Sequence, residues 1–260
     1  MIVLTFFNWF FEILKWQNLV SIIKKISFAE ASKQSLAALT ASLFTPNRIG
    51  DYAAKAIYFD KPLRKRILLL NLLSNMAQMS TTILFGCIGA IIFMNTYGLD
   101  ISRIKVMRLL TIIVIVSFLS IFGIKQFKIR GFEIKKITDF IKNISFEHHI
   151  KNILFSLIRY LIFSFQFYFL LQIFGVDVYY FNAMIVITTM YLMSSVIPTL
   201  FIFDVIVKGS IALYLFDIVG VNNLTILSII TLMWLLNFVL PSIFGSFYVL
   251  KFNTYKTIER

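Results

Sequence analysis

The feature that most constrains this chain is a series of long apolar segments separated by short basic ones. The stretches Leu109 to Ile124 and Leu224 to Leu236 carry no charged residue, and a membrane-spanning helix needs about 20 apolar residues. Only 14% of all residues are charged, whereas a soluble domain carries about 25%. The sequence therefore predicts an integral membrane protein, with no room for a soluble catalytic domain.

The basic residues have a membrane explanation as well. A net charge of +13 would suggest nucleic-acid binding in a soluble protein, but here Lys and Arg lie almost wholly between the apolar segments. That distribution is typical of cytoplasmic loops beside anionic headgroups, so no nucleic-acid partner is predicted. The apolar segments lie at about 1–16, 35–59, 67–94, 107–124, 151–175, 181–216 and 224–250.

Two of these segments are interrupted. Proline lacks an amide donor and forces the preceding residue out of the helical region, so segments 35–59 and 181–216 are each predicted to form two half-helices. The predicted hinge residues are Pro46, Gly50, Pro198 and Gly209.

Loop charges predict that both interrupted segments re-enter the membrane. The loops beside the first segment, at 15–34 and 60–66, are rich in Lys and Arg and are therefore predicted to be cytoplasmic. The loops beside the second, at 176–180 and 217–223, each hold an aspartate and no Lys or Arg, so they are predicted to be external. The basic tail at 251–260 is then predicted to lie in the cytoplasm. The predicted location of the protein is the cell (inner or plasma) membrane.

The order of segments predicts a repeat. A span, a broken hairpin and a span occur twice, and the odd connector between them inverts the second copy. The predicted fold class is all-α, a polytopic transmembrane helical bundle with two broken re-entrant helical hairpins in an inverted repeat. The single membrane domain would comprise a first repeat at about 1–94, a connector at 95–150, a second repeat at about 151–250 and the tail.

Charges inside the interrupted segments are the candidate site. A charge at the bilayer centre costs about 2.5–3.5 kcal/mol on insertion scales, so it usually has a partner or a function. Asp51 and Lys55 stand four residues apart, as do Asp204 and Lys208, so each pair could be a self-neutralising helix contact or part of a polar gate for a lipid headgroup. Arg48 either contacts a phosphate or extends to the interface. The predicted substrate-binding residues are Arg48, Asp51, Lys55, Asp204 and Lys208.

Other polar residues have structural interpretations. Lys15 and Trp16 suit an interfacial anchor, while Glu12 lies deeper and can face the bundle. Stripes such as Asn71, Asn75 and Gln78, and isolated residues such as Arg159 and Asn237, are more typical of contacts between helices than of a substrate path. With Cys87 alone and His148 adjacent to His149, no metal ligand set is predicted, and no catalytic or nucleotide-binding motif is present. The sequence predicts no cofactor and no enzyme activity.

Several motifs resemble one family. The sequence from Thr45 to Tyr52, TPNRIGDY, resembles the Pro-x-x-x-Gly-Glu/Asp signature of the flippase-like family related to the membrane half of bacterial lysylphosphatidylglycerol synthases. The pattern Asn8-Trp9-x-x-Glu12-x-x-Lys15-Trp16 is similar to that family's early helix. The run from Ser74 to Gln78 is similar to its next span, and the run from Lys208 to Ser210 to the second hairpin of Bacteroidetes-type members. Phe203 and Ile206 depart from the glycines usual in that hairpin.

The resemblance implies lipid handling: a flippase-like transporter that moves a phospholipid or polyisoprenoid-linked lipid between leaflets, with anionic headgroups as its partners. An alternative is a non-catalytic membrane partner or scaffold for an envelope lipid or glycan assembly enzyme. In that case the basic stretch 125–151 would dock the envelope-biosynthesis protein, and the hairpin charges would be dispensable.

Overall fold

The protein is all-helical in the part of the chain that the computed structural model describes, residues 1–43, 45, 49–98, 139–197 and 203–252. A π-helical turn, Leu235–Val239, joins the last two α-helices. The α-helices are α1 (Ile2–Val20), α2 (Phe28–Ser42), α3 (Ile49–Ile57), α4 (Lys61–Tyr97), α5 (Phe146–Ile173), α6 (Tyr180–Val196), α7 (Asp204–Ile218), α8 (Asn223–Trp234) and α9 (Leu240–Leu250). The predicted all-α class is confirmed.

Three of the helical rods can cross a membrane by length and composition. They are Lys61–Tyr97, Phe146–Ile173 and the continuous rod Asn223–Leu250, which contain 18-residue stretches with mean hydropathies of 1.7, 1.7 and 2.1, respectively. At 1.5 Å per residue, a rod of 28 residues is about 42 Å long, which exceeds the ~30 Å of a bilayer's hydrocarbon core. The protein is therefore a membrane protein.

Both interrupted segments are interrupted in the fold. The first comprises α2 and α3, and the second comprises α6 and α7. Two of the four predicted hinge residues, Pro46 and Pro198, lie outside the described residues. Gly50 lies in the first turn of α3, directly after the first break. Gly209 lies well inside α7, five residues after its start.

The predicted loop at 15–34 was wrong, because the helices on both sides of it extend into this range. α1 continues through Lys15 and Trp16 to Val20, and α2 begins at Phe28. Lys15 does not end α1 because its ammonium group pairs with Glu12 one turn earlier, at 3.1 Å. α2 begins early because Ser27 and Glu30 form a capping box, in which each side chain bonds the other residue's backbone amide.

The interfacial position predicted for Lys15 and Trp16 was also wrong. Both side chains are buried inside the protein, and Trp16 Nε1 donates to Gln34 Oε1 of α2 at 2.8 Å. A basic residue beside a tryptophan suits either a lipid interface or a protein interior that supplies a carboxylate. In this protein Glu12 supplies it. The predicted span 107–124, most of the connector and most of the basic stretch 125–151 lie outside the described residues.

Helices from the two halves of the chain pack closely on each other. α1 packs on α5, α2 on α9, and α4 on α6. Glycines permit two of these contacts: a Cβ on Gly89 would lie 2.0 Å from Thr188 Oγ1 of α6, and one on Gly245 would lie 2.1 Å from the Leu36 carbonyl oxygen of α2. Small residues that let helix backbones approach are typical of membrane bundles. The two halves therefore form one interlocked body around the polar residues described next.

Candidate functional site

Polar side chains from both halves surround a cavity of about 320 Å³. Its walls come from α1 to α7 and from the π-helical turn. The charged residues on these walls are Glu12, Lys15, Asp51, Arg159 and Lys208. Non-helical backbone and charge at membrane depth are tolerated where they face protein or a watery cavity, so this cavity is the candidate functional site.

Glu12 of α1 is the centre of the charge network. Its carboxylate lies 3.1 Å from Lys15 Nζ, 3.9 Å from Lys55 Nζ and 2.5 Å from Arg159 Nη1. The network joins α1 to α3 and α5. Arg159 also donates from Nε to the backbone oxygen and Oδ1 of Asn8, both at 3.2 Å, and from Nη1 to Gln78 Oε1 at 3.1 Å. The guanidinium is therefore held by several acceptors in one orientation.

Asp51, Lys55 and Asn71 form a closed triangle beside this network. Asp51 Oδ1 lies 3.2 Å from Lys55 Nζ, which donates to Asn71 Oδ1 at 2.8 Å; Asn71 Nδ2 donates back to Asp51 Oδ2 at 2.7 Å. Lys55 also lies over the ring of Trp16, 4.6 Å from its centroid. The i, i+4 pairing expected for Asp51 and Lys55 is observed, and α4 fixes its geometry through Asn71.

A second polar chain crosses the bundle through neutral amides. Asn8 Nδ2 donates to Asn237 Oδ1 at 3.1 Å, Asn237 Nδ2 donates to Gln166 Oε1 at 3.0 Å, and Gln166 Nε2 donates to Thr5 Oγ1 at 2.9 Å. The backbone oxygen of Asn237 accepts from Trp9 Nε1 at 3.0 Å.

Pro241, two residues after the π-helical turn, leaves free the backbone carbonyl that accepts from Trp9. Pro241 has no amide hydrogen to donate to the carbonyl four residues earlier, which belongs to Asn237. That carbonyl is the one that accepts from Trp9. π-helical turns within α-helices are frequent at functional sites, and this one places Asn237 and Phe238 in the cavity wall.

The described part of the ionic network has a formal positive charge. Two carboxylates, Glu12 and Asp51, face three cations, Lys15, Lys55 and Arg159, so the formal sum is +1. Lys208 adds a further cation on the wall, 5.4 Å from the centroid of the Phe238 ring. The described site is therefore suited to an anionic group, such as a phosphate, that brings its own negative charge.

The structure distributes the predicted site residues as follows. Asp51 and Lys208, one from each interrupted segment, line the same cavity, and Lys55 is buried against Asp51. Arg48 and the side chain of Asp204 lie outside the description. Gly50 packs tightly, since a Cβ there would lie 2.2 Å from the Ala41 carbonyl oxygen. Gly209 packs loosely, with Leu227 Cδ2 the nearest atom, at 3.7 Å.

Sequence reasoning missed Lys15 and undervalued Arg159. Arg159 was interpreted as a contact between helices, but it also lines the cavity and binds Glu12. The sequence could have indicated this role, because Arg159 is the only charged residue of segment 151–175 after Lys151. An ionisable residue within a membrane span is a functional-site candidate by default. Among the described residues, no three His, Cys, Asp or Glu side chains cluster as a metal site would require.

Comparison with known proteins identifies the family. Residues 1–245 match the family described as the lysylphosphatidylglycerol synthase TM region. No curated protein and no solved structure matches the chain. The family match covers the motifs around Glu12, Asp51 and Lys208 on which the predicted resemblance rests, and it confirms that prediction. The chain therefore belongs to the family of lysylphosphatidylglycerol synthase transmembrane regions.

Proposed function

We propose that this protein is a flippase-like transporter that moves a phospholipid or polyisoprenoid-linked lipid between leaflets. One observation carries the proposal: Asp51 of the first interrupted segment and Lys208 of the second line one cavity, together with Glu12 and Arg159. Buried charges are costly in a membrane, and simple self-neutralising pairs would not need to meet around a shared space. The proposed activity moves lipid without changing a covalent bond, so it is not enzymatic.

The size of the cavity suits a headgroup. Pockets for small ligands have volumes of about 300–1,000 Å³, and the cavity, at about 320 Å³, lies at the small end of that range. It can hold a phosphate and its substituent, while the acyl or isoprenoid chains stay in the bilayer. The net positive network favours an anionic headgroup, and Arg159 and Lys208 are its proposed phosphate contacts because charge-assisted hydrogen bonds to phosphate are strong.

We also propose that the fold is the inverted repeat expected from the loop charges. The packing of the halves supports it, with α1 to α4 corresponding to α5, α6, α7 and the rod from α8 to α9. Thus α2 packs on α3 as α6 packs on α7, α3 on α4 as α7 on α8, and α2 on α9 as α6 on α4. Inverted repeats with broken helices are typical of transporters whose site lies near mid-membrane.

The lengths of the half-helices support re-entry. α2 and α7 have 15 residues each and α3 has nine, so none reaches the ~20 residues that a span needs. In this proposal α2 and α3 enter from the cytoplasm and α6 and α7 from outside. The protein lies in the cell membrane with its C-terminus in the cytoplasm.

Lipid movement in liposomes tests the proposal. The purified protein is reconstituted with fluorescent phosphatidylglycerol, and an impermeant quencher reports how much of the inner-leaflet probe becomes accessible. We expect Asp51→Asn to abolish movement, because the neutral amide no longer holds Lys55 in the triangle with Asn71. The matched control is Glu147→Gln, which removes a carboxylate from an exposed pair with Lys151. If Asp51→Asn moves lipid as fast as the unmodified protein, the cavity is not the lipid path.

A further inference from the structure

A second open space lies at the other end of the pair formed by α1 and α5. It is a groove of about 390 Å³ between the C-terminal end of α1, the loop from α1 to α2 and the first turns of α5. Its wall includes two exposed lysines, Lys25 of the loop and Lys151 of α5. Among the described residues, none lines both this groove and the central cavity. The groove is therefore a separate candidate for a binding site.

Hydrogen bonds fix the shape of the groove. Asn18 Nδ2 donates to the His148 backbone oxygen at 3.2 Å, and Asn18 Oδ1 lies 2.9 Å from His148 Nδ1, so α1 and α5 are joined at this point. Gln17 Nε2 donates to the Ile26 backbone oxygen at 3.0 Å. This bond holds the loop, and with it Lys25, against the end of α1. The groove is therefore built into the fold.

The lysines give the groove a positive formal charge. Lys151 pairs with the exposed carboxylate of Glu147, whereas Lys25 has no ion pair or hydrogen bond with another described residue. The formal charges of these three side chains therefore sum to +1. A ligand with one net negative charge would balance them, so the groove suits an anion.

The groove extends from headgroup level into the hydrocarbon layer. α5 has 28 residues, a length of about 42 Å, so about 6 Å extends beyond each side of a hydrocarbon core of about 30 Å when the helix is centred in the bilayer. Lys151 lies about 8 Å from the start of α5, near that boundary, and Phe155 lies about 14 Å from it, inside the hydrocarbon. The charged and apolar parts of the groove therefore lie at different depths.

The deeper part of the groove is apolar and aromatic. Leu14 and Phe155 line it, and the ring of Phe11 has its centroid 6.0 Å from that of Phe155. Leu154, beside Phe155 in the chain, is exposed. Lipid tails are as apolar as leucine side chains, so this surface suits an acyl chain. A phosphate above and an acyl chain below are the parts of a phospholipid.

Other occupants match only part of the groove. The stretch 99–138, outside the described residues, holds eight Lys and Arg but only two Asp and Glu, so it would bring like charge to the two lysines. A soluble anion such as phosphate would pair with the lysines and leave the apolar part empty. An anionic phospholipid matches both parts.

We propose that this groove is a second lipid site, which holds one anionic phospholipid with its phosphate at Lys25 and Lys151 and an acyl chain along Phe155. This lipid is resident and is not the one that moves. It contacts α1 and α5 together, and these helices carry Glu12 and Arg159, so it reinforces the packing that holds the central network. The site does not depend on lipid movement; only the leaflet, which is the cytoplasmic one, rests on the proposed topology.

Photocrosslinking in liposomes tests the proposal. The full chain is reconstituted with phosphatidylglycerol or phosphatidylcholine that carries a photoactivatable diazirine in one acyl chain, and the crosslinked peptides are mapped. Phosphatidylglycerol has one net negative charge and phosphatidylcholine has none. We expect the peptides that contain residues 14–26 and 151–155 to crosslink about 5- to 25-fold more with phosphatidylglycerol at low salt, since each lysine near the surface favours an anionic lipid by about fivefold.

Charge variants show whether the preference comes from the groove. Lys25→Gln combined with Lys151→Gln should lower crosslinking by phosphatidylglycerol to the level of phosphatidylcholine. The matched control is Lys61→Gln combined with Lys251→Gln, which removes two exposed lysines that do not line the groove. We expect the control to keep the preference of the unmodified protein.

Three results would overturn the proposal. They are equal crosslinking of the groove peptides by the two lipids, a groove variant that keeps the full preference, and displacement of the phosphatidylglycerol probe by glycerol 3-phosphate, which would indicate a site for soluble phosphate. Lipid movement is measured in the same liposomes. A protein that moves no lipid but crosslinks with the expected preference refutes the transporter proposal and supports this one.

Discussion

Glu12 offers the sharpest test of the buried network, and the proposed change is Glu12→Gln. The substitution keeps the shape of the side chain and removes its charge. Lys15, Lys55 and Arg159 lie within 3.9 Å of the carboxylate, and the side chains of Lys15 and Lys55 are 1% and 2% exposed. In the variant Asp51 is the one carboxylate of the network that remains among the described residues, so the formal charge of the described network rises from +1 to +2.

The expected effect is large. Removal of one partner from a buried ion pair costs about 3–5 kcal/mol, because it leaves an uncompensated charge in a medium of low dielectric constant. For a chain of this size, 1 kcal/mol shifts Tm by about 2–4 °C, so we expect Tm to fall by about 6–20 °C. Tryptophan fluorescence during heating in detergent, with gel filtration of heated samples, measures this shift.

Two further variants show whether the fall in Tm comes from uncompensated buried charge. Glu147→Gln makes the same chemical change in a pair whose side chains are 72% and 47% exposed, and it is expected to leave Tm unchanged because exposed pairs contribute little. Glu12→Gln combined with Lys15→Gln removes one of the uncompensated cations and should recover part of the loss. If Glu12→Gln melts with the unmodified protein, the three cations do not depend on Glu12, and the network is not the buried unit described above.

Two other predictions concern packing and topology. Gly245→Ala is expected to cost about 1–3 kcal/mol through overpacking against α2, whereas Gly209→Ala, whose Cβ would have no atom closer than 3.7 Å, should not lower Tm; equal effects would contradict the close approach of α9. In a Cys87→Ser background, single cysteines beside the first hairpin should be labelled only from the cytoplasm, and single cysteines beside the second hairpin only from outside. If the two cysteines beside one hairpin are labelled from opposite sides, that hairpin is a full span. The four exposed positions are Lys24, Lys61, Asp177 and Asp217.

Local spacing explains what the sequence could predict. Asp51 and Lys55 share a face of one helix because they are four residues apart, and no other part of the fold is needed to bring them together. Likewise, proline and the turn residues around it predict where segments 35–59 and 181–216 break. Apolar length predicts the long rods, since an α-helix needs about 20 apolar residues to cross a bilayer.

Contacts between helices could not be predicted in the same way. Glu12 and Arg159 are 147 residues apart, and helical periodicity shows which residues share a face without showing which faces meet. The same limit applies to Asn237 and Asn8, 229 residues apart. The position of Lys15 was predicted wrongly for a related reason. Whether a lysine is buried depends on the partner that balances its charge, and the neighbouring Trp16 does not indicate that partner.

The division of the ionic network between the two halves has a consequence for biogenesis. Glu12, Lys15, Asp51 and Lys55 all lie within residues 1–55, and the formal charges of these four residues sum to zero. These four residues can therefore enter the bilayer as an electrically neutral set before α5 leaves the ribosome. Arg159 joins the network when α5 docks on α1, so the described network reaches its formal charge of +1 only once the second half of the chain has begun to pack.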